Sequence, residues 1–146
     1  MNIAVIGGSG FVGTELISLL QKEHTILNLD KKLSQHFESI TRIVDVRNKG
    51  QLNESLKGQD FVVLLAAEHK DDVSPVSLYY DVNVEGMKNV LSAMDLNGIK
   101  KIIFTSTVAL YGLNQTQAPD ENAITKPFNH YGQSKLQAEK ILQQWL

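Results

Sequence analysis

Met1-Asn2-Ile3-Ala4-Val5-Ile6, running straight into Gly7-Gly8-Ser9-Gly10-Phe11-Val12-Gly13, decides the fold. An unbroken apolar run with β-branched residues suits a strand buried on both faces, as in a parallel sheet covered by helices. The glycines fall where such a strand passes into a helix, whose apolar stripe is read as Phe11, Leu16, Ile17, Leu19 and Leu20. Gly7 permits a tight turn, Gly10 a close approach of backbone to a bound group, and Gly13 close packing of helix on strand. A pyrophosphate would then sit on free N–H groups at the positive end of the helix dipole. The spacing is GxxGxxG and not the commoner GxGxxG, so a merely tight strand-to-helix turn stays open as the plainer reading.

Working outward, further apolar runs occur at residues 25–29, 40–44, 61–65 and 102–105. Helical patterns lie between them; one carries Val84, Met87, Val90, Leu91 and Met94 on one face and ends near Gly98, a suitable C-cap. A last helix is read over 131–146, with Leu136, Ile141, Leu142 and Trp145 apolar. This rhythm predicts right-handed crossovers and a Rossmann-like, doubly wound parallel α/β sheet in three layers, strand order 3-2-1-4-5. Residues 113–129 are polar, contain Pro119 and Pro127, and read as a long loop of the kind that often carries function.

The chain has 146 residues, 42% of them apolar and 21% charged, which suits one globular domain over residues 1–146. A net charge of −2 offers no field for nucleic acid or anionic membrane. With no cysteine there is neither a disulfide nor a thiol nucleophile. The first residues lack a basic leader segment, and no apolar stretch is long enough to span a bilayer. The expectation is a soluble, cytoplasmic protein. The four histidines are scattered (His24, His36, His69 and His130), so no metal site is expected.

Asp30 ends the second run, where a carboxylate can accept hydrogen bonds from an adenosine ribose and repel a 2′-phosphate. That favours NAD, although Lys31 and Lys32 beside it leave NADP open. Tyr131 and Lys135 are four apart, hence on one helical face. A free phenol titrates near ~10; an adjacent ammonium favours the phenolate and so makes a usable base. Alone, that spacing carries little information.

Together these stretches resemble the signatures of the extended short-chain dehydrogenases, the NAD-dependent epimerase/dehydratase kind. They are the Gly7–Gly13 loop, Phe104-Thr105-Ser106-Thr107-Val108-Ala109-Leu110-Tyr111-Gly112, and Tyr131-Gly132-Gln133-Ser134-Lys135. Asp45-Val46 resembles that family's adenine-contacting pair, Leu65-Ala66-Ala67 its segment beside the cofactor, and Asp81-Val82-Asn83-Val84 a helix start whose Asn steadies the active site. The resemblance implies NAD contacts from Gly7, Gly10, Phe11, Val12, Gly13, Asp30, Asp45, Val46, Leu65, Ala66, Ala67, Asn83, Tyr131 and Lys135. It makes Thr107 the hydroxyl that meets the substrate, with Ser106 as the fallback, and Tyr131 and Lys135 the proton-transfer pair.

The family's dehydratases carry carboxylates just after that Thr, where acid help breaks a C–O bond. Val108 and Ala109 stand there and transfer no proton. The resemblance is therefore closest to the UDP-sugar 4-epimerases, to which residues 76–93 with Tyr79-Tyr80 are also similar. An NAD(P)-dependent reductase or dehydratase of the same family, or a non-catalytic dinucleotide-binding module, remains the alternative. Extended members run well beyond this length, adding parallel strands and a C-terminal domain that grips the nucleotide sugar. The implied picture is an N-terminal portion with its fifth strand as a bare edge, prone to homo-oligomerise, with weak NAD binding and no turnover of a UDP-hexose by itself.

Overall fold

The computed structural model describes residues 1–113 and 118–146. Strands β1 (Asn2–Ile6), β2 (Thr25–Asp30), β3 (Thr41–Ile43), β4 (Phe61–Leu64) and β5 (Ile102–Phe104) form one sheet in the order β3-β2-β1-β4-β5. Every pairing is parallel. The helices are α1 (Phe11–Leu20), α2 (Lys49–Ser55), α3 (Ser77–Tyr80), α4 (Gly86–Leu96) and α5 (His130–Trp145). A π-helical turn, Asp81–Glu85, joins α3 to α4, and a 3-10 turn, Val108–Tyr111, follows β5. The expected architecture and strand order are what is found.

Alternation along β1 shows why the strands are apolar throughout. Ile3 and Val5 point to one face and pack with Ile17 of α1, Ile26 and Val63. Ala4 and Ile6 point to the other, into a larger core with Leu52 of α2, Met87, Val90, Leu91 and Met94 of α4, and Ala138 of α5. The central strand is also the first: Met1 O accepts from Thr25 N–H at 3.0 Å, and Asn2 N–H donates to Asp60 at 2.7 Å.

Several details depart from the sequence reading. Phe11 and Leu19 are 85% and 63% exposed, so the working stripe of α1 is Leu16, Ile17 and Leu20. Ile40 lies in a 3-10 turn, which leaves β3 only three residues long. Helix α2 was not anticipated; its N-cap is Asn48, whose side chain accepts from Gln51 N–H, and it buries Leu52 and Ser55. Gly98 ends α4 with φ +72°, as expected of a C-cap. Residues 118–129 contain no helix or strand, as the loop reading requires, while 114–117 lie outside the described residues.

Candidate cofactor cleft and proton-transfer site

The carboxyl ends of β1, β2 and β4 open into a cleft of about 770 Å³. Gly7, Gly10, Phe11, Asp30, Asp45, Val46, Leu65, Ala66 and Ala67 line it, so nine of the expected cofactor residues share one cavity. Helix α1 begins there with no side-chain cap and no acid in its first turn. Its first N–H groups therefore face the cleft without an internal acceptor, which suits a phosphate.

Three glycines of the loop have specific reasons. Gly7 takes φ +89°, and a Cβ on it would lie 2.5 Å from Ala66 N, where the β4 exit crosses the loop. A Cβ on Gly13 would lie 2.4 Å from Gly8 Cα, so that glycine packs α1 against the loop rather than against the strand. Gly8, which the motif reading passed over, is equally tight: its Cβ would lie 2.4 Å from Asn28 Oδ1. Val12 is 59% exposed and lies outside the cleft lining, and Gly13 is buried behind it.

Asp30 accepts from Ser9 N–H and from Lys32 N–H, each at 3.0 Å, which fixes both the carboxylate and the glycine loop. Lys31 points elsewhere, 3.6 Å from the Glu68 carboxylate. Asp45 is gripped by Arg47, whose Nη2 donates at 2.6 Å and Nε at 3.0 Å. Those hydrogen bonds hold the Asp45 carboxyl below the usual carboxylate range and raise Arg47. Glu68, His36 and His69 also line the cleft, and the sequence reading gave none of them a place there; Lys31, expected beside Asp30, lines it too.

Asn83 lines no part of the cleft but anchors its floor. Its Oδ1 accepts from Glu68 N–H at 2.8 Å, and its Nδ2 donates to Glu68 O at 3.0 Å and to Ser134 Oγ at 2.9 Å. Ser134 Oγ donates in turn to Tyr131 O at 2.8 Å. Asn83 sits in the π-helical turn, a local widening that often marks a functional residue. One buried amide thus ties the β4 exit to the helix that carries Tyr131 and Lys135.

The remaining expected residues lie on two segments that pack together past the end of β5. Thr107 caps the 3-10 turn, its Oγ1 accepting from Ala109 N–H at 3.2 Å. Ser106 is exposed and Thr107 half-buried. A Cβ on Gly132 would lie 2.8 Å from Ala109 O, which brings the first turn of α5 hard against that segment. Tyr131 is half-buried, and among the described residues its hydroxyl has no partner. Lys135 is 2% exposed; its ammonium donates to Thr105 O at 2.6 Å and lies 3.9 Å over the Phe104 ring. Burial pushes its pKa down to about 8, against an opposing pull from Glu139. His130 Nδ1 lies 3.0 Å from the Tyr80 hydroxyl. Among the described residues, no three acids or histidines are grouped to hold a metal, and no helix is long and apolar enough to cross a membrane.

Residues 3–146 match the family described as NAD dependent epimerase/dehydratase. The chain is 58% identical over 144 residues to the N-acetyl-alpha-D-glucosaminyl-diphospho-ditrans,octacis-undecaprenol 4-epimerase of Escherichia coli O157:H7, covering 99% of this chain and 43% of that one. It is 34% identical to the UDP-glucose 4-epimerase of Lacticaseibacillus casei over 97% of itself and 46% of that enzyme. The crystal structure of UDP-glucose 4-epimerase from Brucella ovis in complex with NAD superposes with a TM-score of 0.88 at 28% identity, covering 99% of this chain and 47% of that chain. The chain therefore spans about half the length of the curated relatives it matches. It belongs to the NAD-dependent epimerase/dehydratase family.

Proposed function

We propose that this chain is the cofactor-binding and proton-transfer portion of an NAD-dependent sugar 4-epimerase whose substrate is a hexose carried on a diphosphate. One observation carries the reading. The segment that carries Thr107 packs against the helix that carries Tyr131 and Lys135, with Lys135 Nζ anchored at Thr105 O and Gly132 against Ala109, and this supports reading the three as one site at the carboxyl end of the sheet, where α1 also starts uncapped.

The cleft suits NAD in size and in donors. Asp30 takes the adenosine ribose, and the uncapped α1 start takes the pyrophosphate. Lys31 is drawn toward Glu68, which favours a 2′-hydroxyl over a 2′-phosphate at Asp30. When bound, NAD supplies a reversible acceptor for hydride from the sugar C4. Tyr131 takes the C4 hydroxyl proton as hydride leaves, and returns a proton after the oxidised sugar has presented its other face. Lys135 stands one turn further along the same face of α5, where its ammonium attends that proton transfer. Thr107 Oγ1 accepts from Ala109 N–H, so its own proton is left to donate to the C4 oxygen. Val108 is 82% exposed and Ala109 carries no acid, so nothing there assists loss of a C6 hydroxyl. That separates this reading from the dehydratase one.

The diphosphate is common to both kinds of relative, whose names specify UDP-glucose in one case and an undecaprenol-linked sugar in the other. The whole protein containing this chain should interconvert the C4 epimers of one such substrate. Tyr131→Phe should cut turnover by roughly 10²–10⁴-fold while NAD stays bound. Product analysis on UDP-hexoses and on a polyprenyl-diphosphate N-acetylhexosamine decides it. Near-normal turnover by Tyr131→Phe at saturating substrate would overturn the assignment, as would net reduction or dehydration of every substrate tried.

A further inference from the structure

Lys135 presents a problem that the proton-transfer reading does not solve. Its ammonium is buried, it has three N–H bonds, and the described residues give it one hydrogen-bond acceptor, Thr105 O. Among the described residues no carboxylate reaches it; Glu139, one turn along α5, acts through its field. A buried ammonium this poorly satisfied should swing out toward water, because four methylenes give it the reach. What stands behind it instead is the face of Phe104, 3.9 Å from Nζ to ring centroid, well inside the range for a cation–π contact.

That ring is fixed. Phe104 pairs with Leu64 in the β4–β5 ladder and packs against the larger core. Its backbone neighbour Thr105 supplies the carbonyl, so one dipeptide at the end of β5 meets the ammonium from two directions. We propose that Phe104 is a positioning residue for the reaction: its π face, with the Thr105 carbonyl, holds the charged end of Lys135 inward on the Tyr131 side of α5. Any apolar side chain could fill the space, but only an electron-rich face attracts the charge. The ring therefore does two things that a leucine would not. It stabilises the charged form against burial, and it restrains the side chain without taking up the remaining N–H groups, which stay free for Tyr131 and for a ribose hydroxyl.

The proposal rests on Lys135 acting in proton transfer, but its test does not need turnover. In the whole protein containing this chain, the Lys135 ammonium is followed by ¹⁵N and ¹³C NMR through a pH titration. Phe104 is replaced by 4-fluoro-, 3,5-difluoro- and 3,4,5-trifluorophenylalanine, and by Tyr and Leu. His130, Tyr131, Glu139 and Lys140 on α5, Tyr111 on the 3-10 turn, Asp81 and Glu85 on the π-helical turn, Lys88 and Asp95 on α4, and Tyr79 and Tyr80 on α3 are the titratable groups on α5 and on the elements packed against it. All are unchanged across the series. Fluorination barely alters ring size, so a variant that loses its native amide spectrum is set aside and the fluorinated set still decides. The midpoint should fall stepwise with each fluorine. It should fall by about 0.5–1.5 pH units in Phe104→Leu and stay near the parent value in Phe104→Tyr. A midpoint indifferent to fluorination would show that the ring only fills space. Failure of the whole protein to epimerise, with the stepwise fall intact, would sink the function and leave the ring's role standing.

Discussion

Lys135 costs the fold something before it does anything for chemistry. With its pKa pushed down to about 8, the folded chain holds that proton less tightly than the unfolded chain, where lysine titrates near ~10.4. Below about pH 8 both states are protonated and the burial cost is fully present. As pH rises from there toward ~10, the unfolded state binds more protons, so stability rises. Lys135→Met should therefore stabilise the unliganded chain at pH 7 by on the order of 1–3 kcal/mol, and the gap should close between pH 8 and 10. Denaturant unfolding of the two proteins across that range measures it; a Met variant that is less stable at pH 7 would contradict the burial argument. Asp30 makes a second case. Asp30→Ala should weaken NAD by about ten- to a hundred-fold and NADP far less, read by isothermal titration of the whole protein. Asp30 was legible because an acid at the end of the second strand has a known use. Its bonds to Ser9 and Lys32 were not, because backbone donors leave no mark in a sequence. Asp30→Ala should accordingly loosen the glycine loop as well.

At the level of elements, strands read well and helices unevenly, for a physical reason. A strand in a covered parallel sheet must be apolar on both faces, so Ile3–Ile6 and Phe61–Leu64 announce themselves as unbroken runs. Helix α2 buries only Leu52 and Ser55 of its seven residues and leaves no stripe to detect. Phe11 and Leu19 misled in the opposite way: they are apolar, but nothing covers them. The tie through Asn83 is the clearest case of what stays hidden, since its partners lie fifteen and fifty-one positions away. The resemblance pointed to the residue but not to its bonds. Asn83→Ala would strip partners from the Glu68 N–H and carbonyl and from Ser134 Oγ, all buried. We expect a loss of about 2–4 kcal/mol. Hydrogen exchange should show the first turn of α5 and the β4 exit opening together in that variant. Protection lost at only one of them would show that the amide does not couple the two.

Taken whole, the molecule is lopsided. Among the described residues, α2, α4 and α5 contribute to the larger core on one face of the sheet, and α1 with Phe37 and Ile40 to the smaller cluster on the other. Among the described residues, strand β5 is paired on one side only, and its Ile103 is 54% exposed. An apolar edge of this kind recruits other strands. The isolated chain should therefore associate as its concentration rises in sedimentation, and Ile103→Lys should return it to monomer without altering its far-ultraviolet circular dichroism. A monomer at high concentration before that substitution would remove the argument. The strand order has a consequence for how the chain is made. Because β1 precedes both of its neighbours, β2 and β4, this part of the sheet grows outward from it as the ribosome delivers the chain. The β1-α1-β2 unit can close once Asp30 has left the exit tunnel. The other side of β1 then waits for β4, which ends at Leu64. At about 5–20 residues per second that side stays bare for roughly two to seven seconds, the interval in which a nascent chain of this fold most needs a chaperone.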